Sequence, residues 1–194
     1  PREKLADGSD RYRKTFSVRF YKVFNVAQTE GIEPKKIDLV VVENDPIKIA
    51  DDVVVAYCKK QSPFNIQHSS EGAYYNSNLD FVNMPKLDTF IDSDSYYKVL
   101  FHELAHSTGH KSRLNRKTLT EVVKWGDNTY AKEELVAEIS SMYMVGLLGL
   151  NPTENVENSQ AYIKGWCKHL TDKPKECVYA MQSATKVVDY LLSK

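Results

Sequence analysis

The spacing of apolar residues differs between the two halves of the chain. In the first half, apolar and polar residues alternate from Phe16 to Phe20 and the run continues to Phe24, which predicts a strand over 16–24. A short valine-rich run, Leu39–Val42, is typical of a buried strand. Asp45 followed by Pro46 resembles a helix N-cap and a first helical position, so a helix is predicted over about 46–60.

The middle of the chain combines a hairpin pattern with a helical one. Apolar runs on both sides of the turn-prone segment Asn76–Asn78 predict a hairpin within 73–84, closed by Pro85. Beyond it, apolar residues recur at helical spacing, with Ser93 or Asp94 as the expected N-cap and Gly109 as the expected stop. Further helices are predicted over 131–148, 159–170 and 174–192. Strands followed by helices predict an α+β fold.

Composition and charge exclude several classes of protein. Of 194 residues, 42% are hydrophobic and 27% are charged, which is ordinary for a globular protein. Lys and Arg together number 26 and so do Asp and Glu, so binding of nucleic acid by bulk charge is not expected. No apolar run reaches the roughly 18 residues of a membrane-spanning helix.

The cysteines and the chain start bear on location and domain organisation. Cys58, Cys167 and Cys177 are odd in number and widely spaced, which predicts neither a disulfide framework nor a thiolate metal site and favours a reducing cytoplasm. With no internal repeat, a single domain is expected over 1–194. Because the chain starts at Pro1, with neither a signal-peptide pattern nor an initiator Met, it is expected to be a piece of a longer protein.

The segment that carries chemistry is an H-E-x-x-H motif at His102, Glu103 and His106. On a helix, residues i and i+4 lie on the same face, so the two imidazoles can bind one metal ion. Neutral imidazoles are good zinc ligands, and Glu103 can take a proton from a metal-bound water. The motif lies on the helix predicted from apolar spacing, and it therefore predicts a catalytic zinc site.

A catalytic zinc site usually has three protein ligands. A third histidine at the spacing of the longer H-E-x-x-H-x-x-G-x-x-H motif is excluded, because that position is Ser112. The later segment with Glu133, Glu134 and Glu138 supplies carboxylates on an otherwise apolar helix, where they need a partner. We assign Glu134 to the metal and Glu138 to a hydrogen bond with a ligating histidine, although acids at a helix N-terminus also have a structural explanation.

Three further residues are candidates for contact with the substrate. His110 and Tyr130 could each hydrogen-bond a developing oxyanion, although His110 could instead stabilise the end of its helix as a cation. Arg113 belongs to a cation-rich run after the motif and could bind a carboxylate or a phosphate, or the run could be a solvated loop.

The motifs together resemble a known family. The runs His102–Arg116 and Tyr130–Glu138 are similar to the zincin-like metallopeptidase domain of ArdC-type antirestriction proteins, which plasmids and conjugative elements encode. The similarity covers most of residues 16–192. It also includes Tyr21–Val26, Gln28–Gly31, Ala73–Tyr75, Asp80, Ala161–Ile163 and Trp166.

The resemblance implies a zincin-like fold, with a mixed and mainly antiparallel sheet packed on the H-E-x-x-H helix and a helical C-terminal half. It also implies that a single-stranded-DNA-binding domain would precede this one, with residues 1–15 as the remnant of a linker from it. DNA would then be a partner only through that domain. The spacing from Glu134 to Glu138 is similar to the E-x-x-A-[N/D] element of related peptidases, which favours Glu134 over Glu133 as the ligand. Glu138 in place of Asn or Asp departs from that element.

These observations lead to a functional hypothesis with two alternatives. The chain is predicted to be a zinc-dependent peptidase that binds one Zn²⁺, or another divalent ion, and hydrolyses a protein or peptide substrate. One alternative is a metal-stabilised module of a DNA-binding antirestriction protein without turnover. The other is a protease effector domain of a toxin system.

Overall fold

The computed structural model describes residues 2–4, 10–12, 30–31, 43–120, 129–153 and 174–193. The chain divides into two compact units, Pro1–Asp38 and Leu39–Lys194. In the first unit, strand β1 (Arg2–Lys4) pairs antiparallel with β2 (Asp10–Tyr12). The single domain and the linker remain predictions, and the predicted elements at 16–24, 39–42 and 159–170 lie outside the described residues.

The second unit contains a small mixed sheet with the order β3-β5-β4. Strand β3 (Asn65–His68) runs parallel to β5 (Phe81–Met84), and β4 (Tyr74–Asn76) runs antiparallel to β5, with Tyr75 opposite Val82. The hairpin predicted within 73–84 is therefore confirmed. Among the three described strands of this sheet, β4 lies at one edge.

The turn between β4 and β5 is stabilised by the turn-prone residues that predict it. The side-chain oxygen of Asn76 accepts hydrogen bonds from the backbone N–H groups of Asn78 and Leu79, at 3.1 and 2.9 Å. Asp80 then has a left-handed backbone, with φ of 54°. Aspartate tolerates this conformation better than most residues, so the chain can reverse before β5.

Helix α1 (Lys48–Lys60) begins two residues later than predicted. Its N-cap is Ile47, which has no side-chain cap, so the prediction of Asp45 as cap and Pro46 as first helical residue is wrong. A tertiary contact provides the reason: the Ile47 N–H donates to the Tyr97 hydroxyl at 3.2 Å, and that hydroxyl donates to Asp51 at 2.6 Å. A side chain from another helix therefore organises this terminus.

Helix α2 (Ser93–Thr108) is the predicted motif helix. Its N-cap is Asp92, whose carboxylate accepts from the Ser95 N–H at 2.6 Å, so the predicted cap at Ser93 or Asp94 is wrong. Ser93 is already inside the helix and donates its hydroxyl to the Asp45 carbonyl at 2.7 Å. The predicted stop at Gly109 is confirmed.

Three more helices follow in the described residues: α3 (Lys117–Thr120), α4 (Thr129–Leu148) and α5 (Pro174–Leu192). The predicted helices at 131–148 and 174–192 are thus confirmed, the first with two additional N-terminal residues. Helix α2 packs against both α4 and α5. Ser141 of α4 donates its hydroxyl to the Lys98 carbonyl of α2 at 2.7 Å.

The core of the unit is built around α2. Apolar side chains from the helices and from β5 are almost completely buried there, so α2 is covered along most of its length. They include Tyr57, Val82, Met84, Tyr97, Leu100, Phe101, Leu104, Val136, Met144, Val187 and Leu191. The fold is α+β, as predicted.

Two findings bear on the predictions from cysteines and hydropathy. Cys58 and Cys177, the cysteines within the described residues, are free thiols. None of the helices in the described part of the chain combines the length and apolar character needed to cross a bilayer.

Candidate metal centre

The two histidines of the motif meet on one face of α2. The Nε2 atoms of His102 and His106 are 3.2 Å apart. Both rings are largely buried, because this face of α2 packs against other elements rather than facing water. The i, i+4 spacing therefore places the rings as predicted.

Glu134 of α4 completes the group from the opposite side. Its two carboxylate oxygens lie 3.5 Å from His102 Nε2 and 3.5 Å from His106 Nε2. One ligand atom from each of the three residues falls within 4.8 Å of the others. Zinc binds such nitrogen and oxygen atoms at about 2.0–2.2 Å, so separations of this size fit one divalent ion.

The other two glutamates of α4 contact the Nδ1 atoms of the imidazoles, on the side of each ring away from Glu134. Glu138 Oε2 lies 3.3 Å from His102 Nδ1, and Glu133 Oε1 lies 3.3 Å from His106 Nδ1. When a carboxylate accepts from Nδ1–H, the lone pair of a neutral ring is on Nε2 and faces the metal position. Glu138 therefore makes the contact predicted for it, and Glu133 makes an equivalent contact with His106 that was not predicted.

Two buried cations accompany these glutamates. Arg116 contacts both carboxylate oxygens of Glu133, with Nε 3.1 Å from Oε2. Lys98 Nζ lies 3.7 Å from Glu138 Oε1. Neither cation was a predicted site residue. Two features of the sequence could have indicated them. Lys98 lies inside an apolar stretch one turn before His102, and Arg116 lies in the cation-rich run after the motif.

Glu103 is buried beside the two histidines. Burial raises the pKa of its carboxyl group, and the backbone N–H of Tyr75 on β4 donates a hydrogen bond to it. A carboxylate with a raised pKa is a better proton acceptor, as general-base catalysis requires. The position of Glu103 is compatible with its predicted role.

The electrostatics of the centre follow from its hydrogen bonds. Burial by itself lowers the pKa of His102, but hydrogen bonds to Glu134 and Glu138 raise it to about 10. Burial by itself raises the pKa of Glu133, but hydrogen bonds from His106 and Arg116 bring it down to about 2. The pKa of Glu134 is likewise lowered, against its burial, by the histidines.

The centre opens into a cavity of about 370 Å³. One wall comes from β4 and the turn after it, and the opposite wall comes from α3 and α4. It is lined by Ala73, Tyr74, Tyr75, Ser77, His102, Glu103, His106, Thr118, Leu119, Tyr130, Glu133 and Glu134. Tyr130 is 67% exposed and hydrogen-bonds Glu134, so it remains a candidate for substrate contact.

The geometry does not support Arg113 as a contact for substrate. Its side chain is 1% exposed, and its guanidinium donates to Asp80, to the Tyr75 hydroxyl at 3.2 Å and to the Ser107 carbonyl at 2.7 Å. A cation engaged in this way is a structural clamp between α2 and the hairpin. The interpretation of Arg113 as a free cation for an anionic substrate is therefore corrected.

His110 lies away from the cavity lining. Its Nδ1 is 2.7 Å from the Ser112 hydroxyl and 4.0 Å from Asp80. The structure therefore does not bring it together with His102, His106 and Glu134. Its oxyanion role is not supported by this position.

The sequence comparison decides the family. Residues 55–183 match the model of a family described as zincin-like metallopeptidase. The chain belongs to this family. This assignment confirms the zincin-like fold that the resemblance implied, with its mixed sheet, its motif helix and its helical C-terminal half.

Named relatives of this zincin-like domain are larger proteins. A DNA primase TraC of Escherichia coli is 35% identical over 177 residues, which are 91% of this chain and 12% of that protein. A protein of Sinorhizobium fredii named y4eC and described as uncharacterized is 30% identical over 185 residues, or 95% of this chain and 57% of that protein. The chain thus spans only part of the length of these relatives.

Solved structures of antirestriction ArdC protein from plasmid R388 are also similar to the zincin-like chain. The Mn(II)-bound structure is 35% identical, with a TM-score of 0.62, and the match covers 88% of this chain and 60% of that one. The metal-free structure is 32% identical, with a TM-score of 0.60 and coverages of 98% and 65%. The resemblance to ArdC-type proteins is confirmed.

Proposed function

We propose that this zincin-like chain is a divalent-metal-dependent peptidase in which His102, His106 and Glu134 hold the ion. The observation that carries the proposal is the convergence of two Nε2 atoms and one carboxylate, with Glu103 beside them in an open cavity. Zinc is the proposed ion because a His₂Glu donor set is a common zinc site. The Mn(II)-bound relative supports a divalent ion more broadly.

Each residue has a defined part in the proposed hydrolysis of a peptide bond. When bound, the ion would polarise the scissile carbonyl and make a coordinated water more acidic. Glu103 takes a proton from the attacking water and passes it to the leaving amine. The Tyr75 N–H holds the Glu103 carboxylate in place, while Glu133 and Glu138 keep both imidazoles oriented.

The cavity suggests how an extended peptide binds. Strand β4 forms one wall and is an edge among the described strands of its sheet. The Tyr75 N–H is engaged by Glu103, and the other outer backbone groups of the strand can pair with an added strand. Tyr130, on the opposite wall, is an exposed residue whose hydroxyl hydrogen-bonds Glu134, and this hydroxyl can donate to the oxyanion of the transition state. We therefore propose protein or peptide segments in extended conformation as substrates.

The experiment that tests this function uses Glu103→Gln. The variant keeps the three proposed ligands, so we expect about one zinc per chain by mass spectrometry, as in the parent. Hydrolysis of fluorescently labelled casein and of a mixed peptide library should fall by at least about 100-fold, since general-base catalysis contributes roughly that factor. Full hydrolysis by Glu103→Gln, or a parent that binds no zinc when zinc is supplied, would contradict the proposal.

The identity of the relatives favours one second candidate. Because the chain matches antirestriction ArdC structures, it could be a metal-stabilised module of an antirestriction protein that acts without turnover. Protection of incoming plasmid DNA from restriction, measured with Glu103→Gln in the full-length protein, separates the two functions. Loss of protection supports the peptidase, and retained protection supports the non-catalytic module.

A further inference from the structure

The metal centre is flanked by a lysine and an arginine that are almost fully buried. Lys98 and Arg116 are each 7% exposed. Such residues are rarely buried unless they are paired with an anion. Here each is paired with a glutamate, and each of these glutamates contacts a proposed ligand histidine.

Arg116 is fixed on both sides. Its guanidinium donates to the Thr108 hydroxyl at 2.6 Å and to the Ala105 carbonyl at 2.7 Å, both on the last turns of α2. The same group contacts both oxygens of Glu133. Glu133 also accepts from Thr118, so its carboxylate is fully engaged. It is therefore held on His106 Nδ1 and cannot turn toward the metal position.

Lys98 has the equivalent position at the other histidine. It precedes His102 by one turn of α2, and its ammonium group faces Glu138 Oε1. The second oxygen of Glu138 faces His102 Nδ1 at 3.3 Å. The same glutamate therefore contacts one cation and one imidazole, as Glu133 does. Glu138, at the position where the related element has Asn or Asp, is a carboxylate on a longer side chain, and its two oxygens contact both groups.

We propose that Lys98 and Arg116 are positioning residues of the metal centre, an inference that rests on the proposed function. Each cation holds a glutamate of α4 against Nδ1 of a ligating histidine, so that both Nε2 atoms face the ion. Of the three glutamates of α4 that contact the histidines, Glu134 is then left as the carboxylate ligand. Without its cation, a buried glutamate loses a stabilising partner and the adjacent imidazole loses its fixed orientation.

The test compares zinc affinity among variants of the purified chain. Lys98→Met removes the charge with little change in length, and Arg116→Lys keeps a charge but cannot contact both Glu133 oxygens and α2 together. Lys132→Met is the matched control, because Lys132 is more exposed and pairs at 3.2 Å with Glu176 of α5 rather than with a glutamate that contacts His102 or His106. Far-UV circular dichroism in chelator checks that each variant is folded.

We expect Lys98→Met and Arg116→Lys each to weaken zinc binding by about 10-fold or more in competition with a chromophoric chelator, as loss of an outer partner of a ligand does. The control should change by less than about twofold. Cobalt(II) provides a second readout, since its visible d–d spectrum reports ligand geometry and should change in both variants but not in the control.

The possible outcomes separate this inference from the proposed function. If the parent binds zinc and both variants bind it equally tightly with unchanged cobalt spectra, the positioning role is overturned and the metal site stands. If the parent binds neither ion, both proposals are overturned.

Discussion

At the scale of single residues, Gly109 shows a requirement for space rather than for an unusual backbone angle. Its φ is −76°, which any residue can adopt. A Cβ built there would lie 2.8 Å from an Arg116 guanidinium nitrogen and 3.0 Å from a Leu119 methyl carbon. Glycine at this position therefore lets Arg116 reach back across the end of α2 toward Glu133.

Gly109→Ala should destabilise the fold, because Arg116 must shift and lose part of its buried hydrogen bonding. We expect the free energy of unfolding to fall by about 1–3 kcal/mol, measured by urea titration. Gly146→Ala is the control. Among the described residues, nothing other than the chain neighbours and the backbone of α4 itself lies within 4 Å of the added Cβ, so this variant should gain about 0.5–1 kcal/mol. Equal effects of the two substitutions would show that the contact with Arg116 is unimportant.

The proposed ligand set could be predicted residue by residue, but its surroundings could not. The i, i+4 rule relates His102 to His106 without knowledge of any other element. The partners of their Nδ1 atoms depend on how α4 and the loop after α2 are packed, and sequence spacing gives no distance between elements. For Arg113 the prediction itself was wrong. Its charge suggested a contact with an anionic substrate, but its side chain is buried and paired with Asp80.

At the scale of elements, the hairpin β4–β5 is joined to α2 by charge. Arg113 links the Ser107 carbonyl of α2 to Asp80 after the turn. The Tyr75 hydroxyl also donates to Asp80, at 2.7 Å. The strand that forms one wall of the cavity is thereby fixed relative to the motif helix.

The Asp80 clamp should contribute stability that depends on pH. Desolvation acts to raise the pKa of Asp80, but Arg113 and Tyr75 lower it below its ordinary value of 3.8. A lowered pKa in the folded state means that the contribution is present above pH 3.8 and is lost as the pH falls through the folded-state value.

Asp80→Asn should therefore lower the free energy of unfolding at neutral pH, by about 1 kcal/mol for a partly exposed charged hydrogen bond. Asparagine also tolerates the positive φ at this position, so backbone strain is not added. The difference between parent and variant should shrink as the pH falls below 3.8 in a series of urea titrations. If the difference in the free energy of unfolding stays the same at every pH, the effect comes from the changed shape of the side chain and not from its charge.

Elements with long apolar periodicity were predicted well, and their ends less well. The bodies of α2, α4 and α5 follow from apolar residues that recur three and four positions apart, a spacing that is typical of a helix. The start of α1 was misplaced because Tyr97, fifty residues away in sequence, binds the Ile47 N–H. The cap of α2 was misplaced because three consecutive polar residues, 92–94, all have capping side chains.

At the scale of the whole molecule, the proposed metal would connect α2 to α4. Its ligands come from both helices, which pack together in the core. An ion that binds only the folded chain stabilises it by mass action, by about 2.7 kcal/mol at 100 times its dissociation constant. Metal binding and global stability should therefore be coupled.

This coupling predicts a zinc-dependent melting temperature. Zinc at 100 times its dissociation constant should raise the parent's melting temperature by about 5–10 °C relative to chelator, as followed by differential scanning calorimetry. Glu134→Ala removes a proposed ligand and should lose most of the increase, whereas Glu103→Gln should keep it. A full increase in Glu134→Ala would mean that another carboxylate is the third ligand.

The hydrogen bond from Ser141 to Lys98 has a consequence for how much change the ligand geometry tolerates. Serine in a helix often bonds to its own preceding turn, as Ser140 does to Val136 at 2.6 Å, but Ser141 bonds to the neighbouring helix instead. The Ser141 side chain of α4 is thus in direct contact with the backbone of α2. This contact lies close to the helical turns that contain His102 and Glu138. A larger side chain at position 141 would push α2 and α4 apart. Because both helices are rigid, the added separation would also increase the distance between Glu134 and the two histidines.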